Sequence, residues 1–487
     1  MNLSLIAAIP FVLVPGLLLS GRAGALLAGV AGLLATVVAL VVLRGGSVST
    51  LALFEREALS GSWLAVQAVA FIVGGLFFYR CIRASEPGLF STGGDTGKVL
   101  AVFDRRKLFA ACFLLGPFAE SATGFGVGMI IALPVILTAG ARGLTALALS
   151  LLSQTLVAWG SLGVGSAIGA SLASVPFQDL ANRSAWLEGP VLVGHLLVFW
   201  FLLAADGHRP TLVQALDDLL WTILLAGALV AATALIAPEL GGLIATGSLF
   251  VVRSLRDEPG LVTRLPRALR STWPYVVLTL ILVTTRTVPP FRDALQHLAP
   301  IRPLHDQPAL APFYHPATWL IAIGIIALVV TRSTRSLGPV LGEVARSGWR
   351  PVLVTVVYVV LARLVADGGL AAELARGGQQ VAGREAIYLA PMFGALSGFL
   401  TGSNTASNGM MMPVQAALAH AAGADVAWTA AMQNVSGSTL SMLSPARIAT
   451  GCALLGLVGQ DRAGYAKAWP FGAVALVILI CSWTVLG

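Results

Sequence analysis

The sequence predicts an all-α polytopic membrane protein, because its composition is apolar, its hydrophobic runs are long, and Gly-, Ser- and Pro-rich breaks separate those runs. Of its 487 residues, 57% are hydrophobic and 11% are charged, whereas a soluble protein has about 25% charged residues. A soluble fold could not bury so much apolar surface, so we expect the chain to be solvated by a lipid bilayer.

Hydrophobic runs recur along the whole chain. A helix needs about 20 apolar residues to cross the hydrocarbon core, and on that measure the runs predict roughly 12 to 14 spans. Shorter apolar pieces, near 124–139, 161–176, 410–421 and 443–459, are interrupted by small residues. They are typical of broken helices and re-entrant hairpins, whose irregular backbone is tolerated at membrane depth only where protein or water satisfies it.

The charge distribution bears on partners and topology. The chain has 30 Lys and Arg residues against 22 Asp and Glu residues. The basic residues lie between hydrophobic runs, which favours loops that set membrane topology over a nucleic-acid partner. The arginine-dense stretches 253–272 and 332–350 are predicted to be polar loops facing the cytoplasm. The four cysteines are scattered without a C-x-x-C pair, so neither a disulfide framework nor a metal site is expected.

Signatures of enzymes are weak in this sequence. The glycines at 124, 126 and 128 follow no predicted strand and therefore do not form a dinucleotide-binding fingerprint. The sequence also lacks an H-E-x-x-H motif. We expect no catalytic residues and no cofactor, and keep a membrane-embedded transferase or hydrolase as a remote alternative.

Two stretches of similar pattern lie in the two halves of the chain. GPFAESATGFG at 116–126 and GFLTGSNTASN at 398–408 are each followed by an apolar piece and then by a glutamine in a Ser/Gly-rich stretch. The glycine of the break precedes that glutamine by 30 positions in the first stretch and by 31 in the second. Such interrupted units at matching positions of two halves point to the substrate site of a secondary transporter. Packing of small residues between membrane helices is the alternative explanation.

We therefore expect a single transporter domain, 1–487, built from two inverted repeats. Its first half would be 1–252, with a repeat unit at 107–176, and its second half 253–487, with a repeat unit at 385–459.

Glu120 is the most informative charged residue of the sequence. It lies between the apolar stretch 108–118 and a Gly-rich turn, a depth at which a charge costs about 2.5–3.5 kcal/mol on insertion scales. Because burial disfavours the charged form of a carboxyl group, such a residue can take up and release a proton, as the coupling residue of a proton symporter does. Alternatively, its carboxylate caps the adjacent broken helix through backbone N–H groups.

The polar patches at 401–408 and 433–439 are the candidate substrate site. Hydroxyls and amides bind a small carboxylate or alcohol without the cost of a fixed charge, and a helix N-terminus at a break adds its own N–H groups. A solvent loop is the alternative for the first patch. The candidate residues are Ser121, Thr123, Gly124 and Gln154 in the first half, and Thr401, Gly402, Ser403, Asn404, Thr405, Ser407, Asn408, Gln433, Asn434, Ser436, Ser438 and Thr439 in the second.

Two further ionisable residues lie in apolar stretches. Arg447 follows the helix break predicted at Ser444 and Pro445 and could receive the carboxylate of a substrate. Snorkelling of its guanidinium to the membrane interface is the alternative. His195 lies near the middle of an apolar run, and we expect it to hydrogen-bond a neighbouring helix rather than to belong to the site.

These motifs resemble those of the L-lactate permease family. The similarity is carried by G-x-F-x-E-x-x-x-G-F-G at 116–126, by T-G-S-N-T-x-S-N at 401–408 and by M-L-S-P at 442–445, and it is collinear over most of the chain. The resemblance implies proton-coupled uptake of lactate, and often of glycolate, across a bacterial inner membrane. It also implies the ion-transporter superfamily, in which a transport domain moves against a scaffold.

Two positions depart from the family pattern. The family usually has an aspartate where this chain has Asn404, and a lysine where it has Ser441. If those residues are paired in relatives, their joint loss leaves the net charge of the site unchanged. We therefore expect a secondary active transporter of small monocarboxylates such as L-lactate, D-lactate or glycolate, driven by protons through alternating access. Sodium-coupled transport of another organic anion is the alternative.

Overall fold

A computed structural model describes residues 3–45, 47–85, 103–258, 260–303, 307 and 309–486. The described chain is helical, with one isolated antiparallel bridge between Ile301 and Leu310 and no strand among these residues. The all-α prediction is therefore confirmed.

The first half contains eleven helices within its described residues. They are α1 (Leu3–Leu19), α2 (Ala25–Arg44), α3 (Val48–Ser85), α4 (Arg105–Phe109), α5 (Gly116–Thr123), α6 (Val127–Thr138), α7 (Gly143–Leu152), α8 (Gly160–Leu172), α9 (Phe177–Ala205), α10 (Leu212–Leu235) and α11 (Gly241–Asp257). A π-helical turn, Ala110–Leu115, joins α4 to α5, and a 3₁₀ turn, Val157–Trp159, precedes α8.

Ten further helices follow in the described part of the second half. They are α12 (Leu261–Thr287), α13 (Pro289–His297), α14 (Pro316–Val330), α15 (Leu337–Gly368), α16 (Leu370–Ala382), α17 (Ala390–Thr401), α18 (Asn404–Ala422), α19 (Val426–Ser441), α20 (Pro445–Leu454) and α21 (Asp461–Leu486). Short 3₁₀ turns occupy Thr334–Ser336 and Gly383–Leu389.

Several of these helices are suited to a bilayer. By length and composition, six described helices could cross a membrane: α2, α3, α9, α10, α15 and α21. The number rises to eight if two bent pairs of helices each form one span. The first pair is α7 with 157–172, bent by 51°, and the second is 272–287 with α13, bent by 89°. Shorter apolar helices, α1, α6 and α14, accompany them. The sequence predicted roughly 12 to 14 spans, whereas six to eight described segments are long and apolar enough to cross a membrane. Other apolar runs form short or broken helices in the fold.

The arginine-dense stretches differ from their prediction. Only residues 258–260 separate α11 from α12, and α15 begins at Leu337, so most of 253–272 and 332–350 is helical rather than loop. Long helices that extend past their apolar segments explain the difference, because a charged helix end can lie beyond the hydrocarbon core without breaking the helix.

The two predicted repeat units have the same order of helices and breaks. In the first unit, α5, α6, α7 and α8 are separated by breaks at 124–126, 139–142 and 153–159. In the second, α17, α18, α19 and α20 are separated at 402–403, 423–425 and 442–444. The relation of the units by an inverting axis stays a prediction.

Close helix packing sets the position of the polar patches. α19 packs against α9, α17 and α18, while α8 packs against α5 and α18. α17 and α19 approach so closely that a Cβ atom added at Gly398 would lie 1.9 Å from the carbonyl oxygen of Gly437. Glycine contacts of this kind let the backbones of membrane helices meet.

Candidate functional site

The break between α5 and α6 holds Glu120 in place. Gly124, Phe125 and Gly126 have φ values of 73°, 61° and 78°, so the chain reverses in the left-handed region. Glu120 Oε1 accepts the N–H of Gly126 at 3.1 Å, and Oε2 accepts the N–H of Gly128 at 3.0 Å. The carboxylate therefore caps the N-terminus of α6, as the alternative interpretation expected. Its role as proton carrier stays a prediction.

Arg447 joins Glu120 from the start of α20. Its Nη2 lies 3.9 Å from Glu120 Oε1, and its Nη1 donates to the Oε1 of Gln154. Only 12% of the Arg447 side chain and 1% of the Glu120 side chain are exposed. The guanidinium is thus directed at these two groups, which differs from the snorkelling interpretation. We call Glu120, Gln154 and Arg447 the ion cluster.

The ion cluster is built where three helix breaks meet. Gln154 lies between α7 and α8, and Gly160 at the start of α8 is so near Glu120 that an added Cβ would be 3.8 Å from its Oε1. The next residues, Ser161 and Leu162, have φ values of 51° and 56°, which L-residues rarely adopt. Polar atoms without hydrogen-bond partners remain buried around the cluster: Gln154 Nε2, Ser121 Oγ and Ser161 Oγ.

A second group, the amide cluster, consists of Asn404, Asn408 and Asn434. The Oδ1 of Asn434 accepts from Asn404 Nδ2 and Asn408 Nδ2, both at 2.9 Å, and from Ser166 Oγ at 3.1 Å. Asn434 Nδ2 donates to Ser184 Oγ at 3.0 Å. The Oδ1 atoms of Asn404 and Asn408 are buried and have no hydrogen-bond partner. The cluster therefore joins α8, α9, α18 and α19 and leaves two amide oxygens available.

The segment 160–166 connects the two clusters. Its first glycine is beside Glu120, and a Cβ added at Gly165 would lie 2.8 Å from Asn404 Nδ2 and 2.9 Å from the N of Thr405. Asn404, Thr405, Ser407 and Asn408 are buried within α18, so the solvent-loop alternative is wrong for this part of the first patch.

Other predicted site residues serve helix packing. Gln433 Nε2 donates to Ser407 Oγ at 3.2 Å, and Ser407 Oγ lies 2.7 Å from Ser397 Oγ, so these groups connect α17, α18 and α19. Gln415 Nε2 donates to Gln433 Oε1 at 3.3 Å.

Most of the remaining predicted residues bond within their own helix or at one end of it. Ser403 Oγ caps α18 by accepting the N–H of Ala406, Gly402 ends α17 in the left-handed region with φ 66°, and Thr439 Oγ1 is buried without a partner. Hydroxyls that donate to carbonyl oxygens of the preceding turn belong to Thr123, Thr401, Ser436 and Ser438.

Two buried residues of α9 extend the polar region. His195 Nδ1 lies 2.7 Å from Thr155 Oγ1, next to Gln154, in agreement with the interpretation that it bonds a neighbouring segment. Glu188 is 0% exposed, and neither of its carboxyl oxygens has a hydrogen-bond partner. The sequence interpretation missed Glu188, although an acidic residue inside an apolar run was a signal that could have identified it.

The fold and these clusters define a multi-pass membrane protein with a polar interior built at helix breaks. Comparison with known proteins shows which membrane proteins the chain resembles. A family model described as L-lactate permease matches residues 260–486, which include both polar patches of the second half and Arg447.

Relatives extend the match beyond that region. The L-lactate permease of Salmonella typhimurium is 24% identical over 452 residues, covering 80% of this chain and 79% of the relative. The L-lactate permease of Escherichia coli K12 is 24% identical over 449 residues, with the same two coverages of 80% and 79%. The glycolate permease GlcA of E. coli K12 is 24% identical over 461 residues, again covering 80% and 79%. The resemblance to the L-lactate permease family is therefore confirmed.

Proposed function

We propose that this chain is a secondary active transporter, and not an enzyme, that carries a small 2-hydroxy monocarboxylate with protons across a bacterial inner membrane. L-lactate, D-lactate and glycolate are the substrates that the names of its relatives suggest. The observation that carries the proposal is the placement of Arg447 beside Glu120 in a buried cluster formed by helix breaks.

The ion cluster explains how a proton and an anion would travel together. Arg447 is the cation that a substrate carboxylate would bind, through charge-assisted hydrogen bonds. Glu120, 3.9 Å away, competes for that cation while it is ionised. Protonation of Glu120 removes the competition, so proton binding and substrate binding favour each other.

Neighbouring polar atoms would select a hydroxy acid. Gln154 Nε2 is a buried donor without a partner, and Ser161 Oγ is a buried hydroxyl without one. Gln154 lies in the break between α7 and α8, and Ser161 lies in the irregular first turn of α8, next to Gly160, which is close to Glu120. A 2-hydroxyl group beside the bound carboxylate would satisfy these atoms, whereas an acid without a hydroxyl would leave them unpaired.

The amide cluster would form the other wall of the site. Segment 160–166 contacts both clusters, so a substrate bound beside it would face Glu120 on one side and Asn404 on the other. The unpaired oxygens of Asn404 and Asn408 are acceptors for a substrate hydroxyl. The matching order of breaks in the two units supports alternating access, in which the units move around a shared site.

Purified protein in proteoliposomes tests the proposal. Labelled lactate should accumulate when a pH gradient is imposed, glycolate should compete, and larger acids should not. Glu120→Gln should retain exchange of lactate for lactate but lose accumulation, because the amide mimics the permanently protonated acid. Glu343→Gln is the matched control, since it removes a 48% exposed carboxylate paired with Arg80. Full accumulation by Glu120→Gln would contradict the proposed coupling.

Sodium coupling is a second candidate with its own supporting observation. Hard cations take oxygen ligands, and the unpaired amide oxygens of Asn404 and Asn408 are buried on residues about one turn apart in α18. Under this alternative, a sodium gradient at equal pH would drive accumulation, and Asn408→Ala would abolish that dependence. A pH gradient that suffices without sodium rejects it.

A further inference from the structure

Glu188 is a buried acid that the proposed mechanism does not use. It lies in α9, is 0% exposed, and both of its carboxyl oxygens lack hydrogen-bond partners. None of the salt bridges of the described residues involves it. An uncompensated carboxylate in an apolar interior is so costly that such a group is neutral instead. In the described conformation, Glu188 is therefore held as the protonated acid.

The face of α9 that carries Glu188 points to the proposed site. Ser184, Glu188 and His195 fall within about 40° of one another around the helix, at 3.6 residues per turn. Ser184, one turn before Glu188, accepts from Asn434 of the amide cluster. His195, about two turns after it, pairs with Thr155, whose neighbour Gln154 accepts from Arg447. Glu188 thus lies between the groups by which α9 contacts each cluster.

No other charge near Glu188 accounts for its burial. The packed elements α7, α8 and α19 contain no Asp, Glu, Lys, Arg, His, Tyr or Cys. Charged groups on α10 and near the ends of α9, α19 and α21 form the pairs Asp218 with Arg105, Asp425 with Arg183, and Asp206 with Lys467. Asp179 and Arg462, which lie in the first turns of α9 and α21, are exposed. His195 is the one titratable side chain on the same face of α9.

We propose that Glu188 is a second proton-carrying residue of the transport cycle, in addition to Glu120. It binds its proton in the described conformation. When the cycle opens the site to water, its O–H bond breaks, the carboxylate keeps the electron pair, and water takes the proton. This inference rests on the proposed function, and it also predicts the net charge that crosses the membrane in each transport cycle. Two protons with one monocarboxylate move one net positive charge per cycle, whereas one proton moves none.

Infrared difference spectroscopy of the purified chain tests the protonation directly. The C=O stretching band of a protonated carboxylic acid should be present in the unmodified chain at neutral pH and absent in Glu188→Gln, so it should appear in the difference spectrum between the two. Glu343→Gln, the control on the exposed carboxylate, should leave the band unchanged. A spectrum of Glu188→Gln identical to that of the unmodified protein overturns the proposal.

Transport in proteoliposomes tests the coupling. An inside-negative potential of about 100 mV is worth about 2.3 kcal/mol per charge, or about fifty-fold accumulation of lactate at equal pH. We expect this potential-driven accumulation in the unmodified chain and in Glu343→Gln. Glu188→Gln should lose it while keeping lactate exchange and accumulation driven by a pH gradient, because the remaining cycle is electroneutral.

The outcomes separate the two proposals. Retained potential-driven accumulation in Glu188→Gln, or its absence in the unmodified chain, overturns the role of Glu188. If the unmodified chain exchanges neither lactate nor glycolate, the proposed function is contradicted instead. The infrared band then still decides whether Glu188 holds a proton. Retained exchange in Glu188→Gln shows that the variant is folded.

Discussion

Replacing Arg447 with glutamine separates the structural role of the ion cluster from its binding role. The variant loses the guanidinium that donates to Gln154 and leaves Glu120 without its counter-charge at 3.9 Å. At an effective dielectric constant of about 20, that interaction is about 4 kcal/mol, close to the 3–5 kcal/mol typical of breaking a buried pair. The two backbone N–H groups that Glu120 accepts remain, so we expect a loss of about 3 kcal/mol of unfolding free energy.

A double-mutant cycle with Glu120→Gln measures the coupling. Glu120→Gln alone turns an amide N–H₂ toward a backbone N–H and should cost about 1–2 kcal/mol. The double variant should be more stable than the sum of the single losses by about 2–3 kcal/mol, because no charge is left unpaired. Thermal unfolding in detergent, followed by tryptophan fluorescence, reports the stability. Strictly additive losses would refute the interaction between the two side chains.

Substrate binding is the second readout of the same cycle. Loss of a hydrogen bond to a charged group costs about 1.5–3 kcal/mol, so both variants that lack Arg447 should bind lactate roughly 10- to 150-fold more weakly. Arg363→Gln provides the matched control, since it breaks another ion pair with a buried carboxylate, Glu57, at 2.8 Å. It should lose stability without weakening lactate binding. Equal binding by Arg447→Gln and the unmodified chain would remove Arg447 from the site.

Two further predictions concern helix packing and the departures from the family pattern. Asn404→Asp replaces the donor to Asn434 with a carboxylate, and an unpaired buried charge there should destabilise the protein by about 3–5 kcal/mol and impair transport. Ser441→Lys in the same chain should recover much of the lost transport. Independent defects of the two variants in uptake assays would show that the positions are not partners. Gly398→Ala should lower the free energy of unfolding by about 1–3 kcal/mol through overpacking against α19. Gly338→Ala, with nothing within 4 Å of its added Cβ, is the control and should be neutral or stabilising. Equal midpoints of thermal unfolding for the two variants would contradict the close contact.

The sequence predicted the helical class and the broken units because hydrophobic length and glycine breaks are local properties. The capping of α6 by Glu120 was also foreseen as an alternative, since the carboxylate and the turn are neighbours in the chain. The bond between Gln154 and Arg447 joins residues 293 positions apart, and no local pattern specifies such a pairing. The sequence shows Glu188 as an acidic residue among apolar ones, but only the three-dimensional structure shows that its carboxyl oxygens are buried without a partner.

The polar patches illustrate the same limit. Residue type identified Asn404, Gln433 and Ser436 equally well as candidates, but the structure divides them. Asn404 enters the amide cluster, Gln433 connects three helices, and Ser436 donates to a carbonyl of its own helix. A hydroxyl can satisfy itself on the preceding turn, so a serine in a membrane helix indicates a binding site less strongly than an asparagine does.

The single oxygen of Asn434 that accepts from three side chains also constrains how the protein can change over generations. Its donors come from α8 and from two positions of α18, so a substitution at any of these positions changes the hydrogen bonds available to the others. Substitutions here are expected to be epistatic: each is acceptable only in the company of particular partners. New substrate preferences in such a transporter would therefore arise through concerted replacements, and libraries that vary Ser166, Asn404, Asn408 and Asn434 together should yield functional variants that single-site libraries miss.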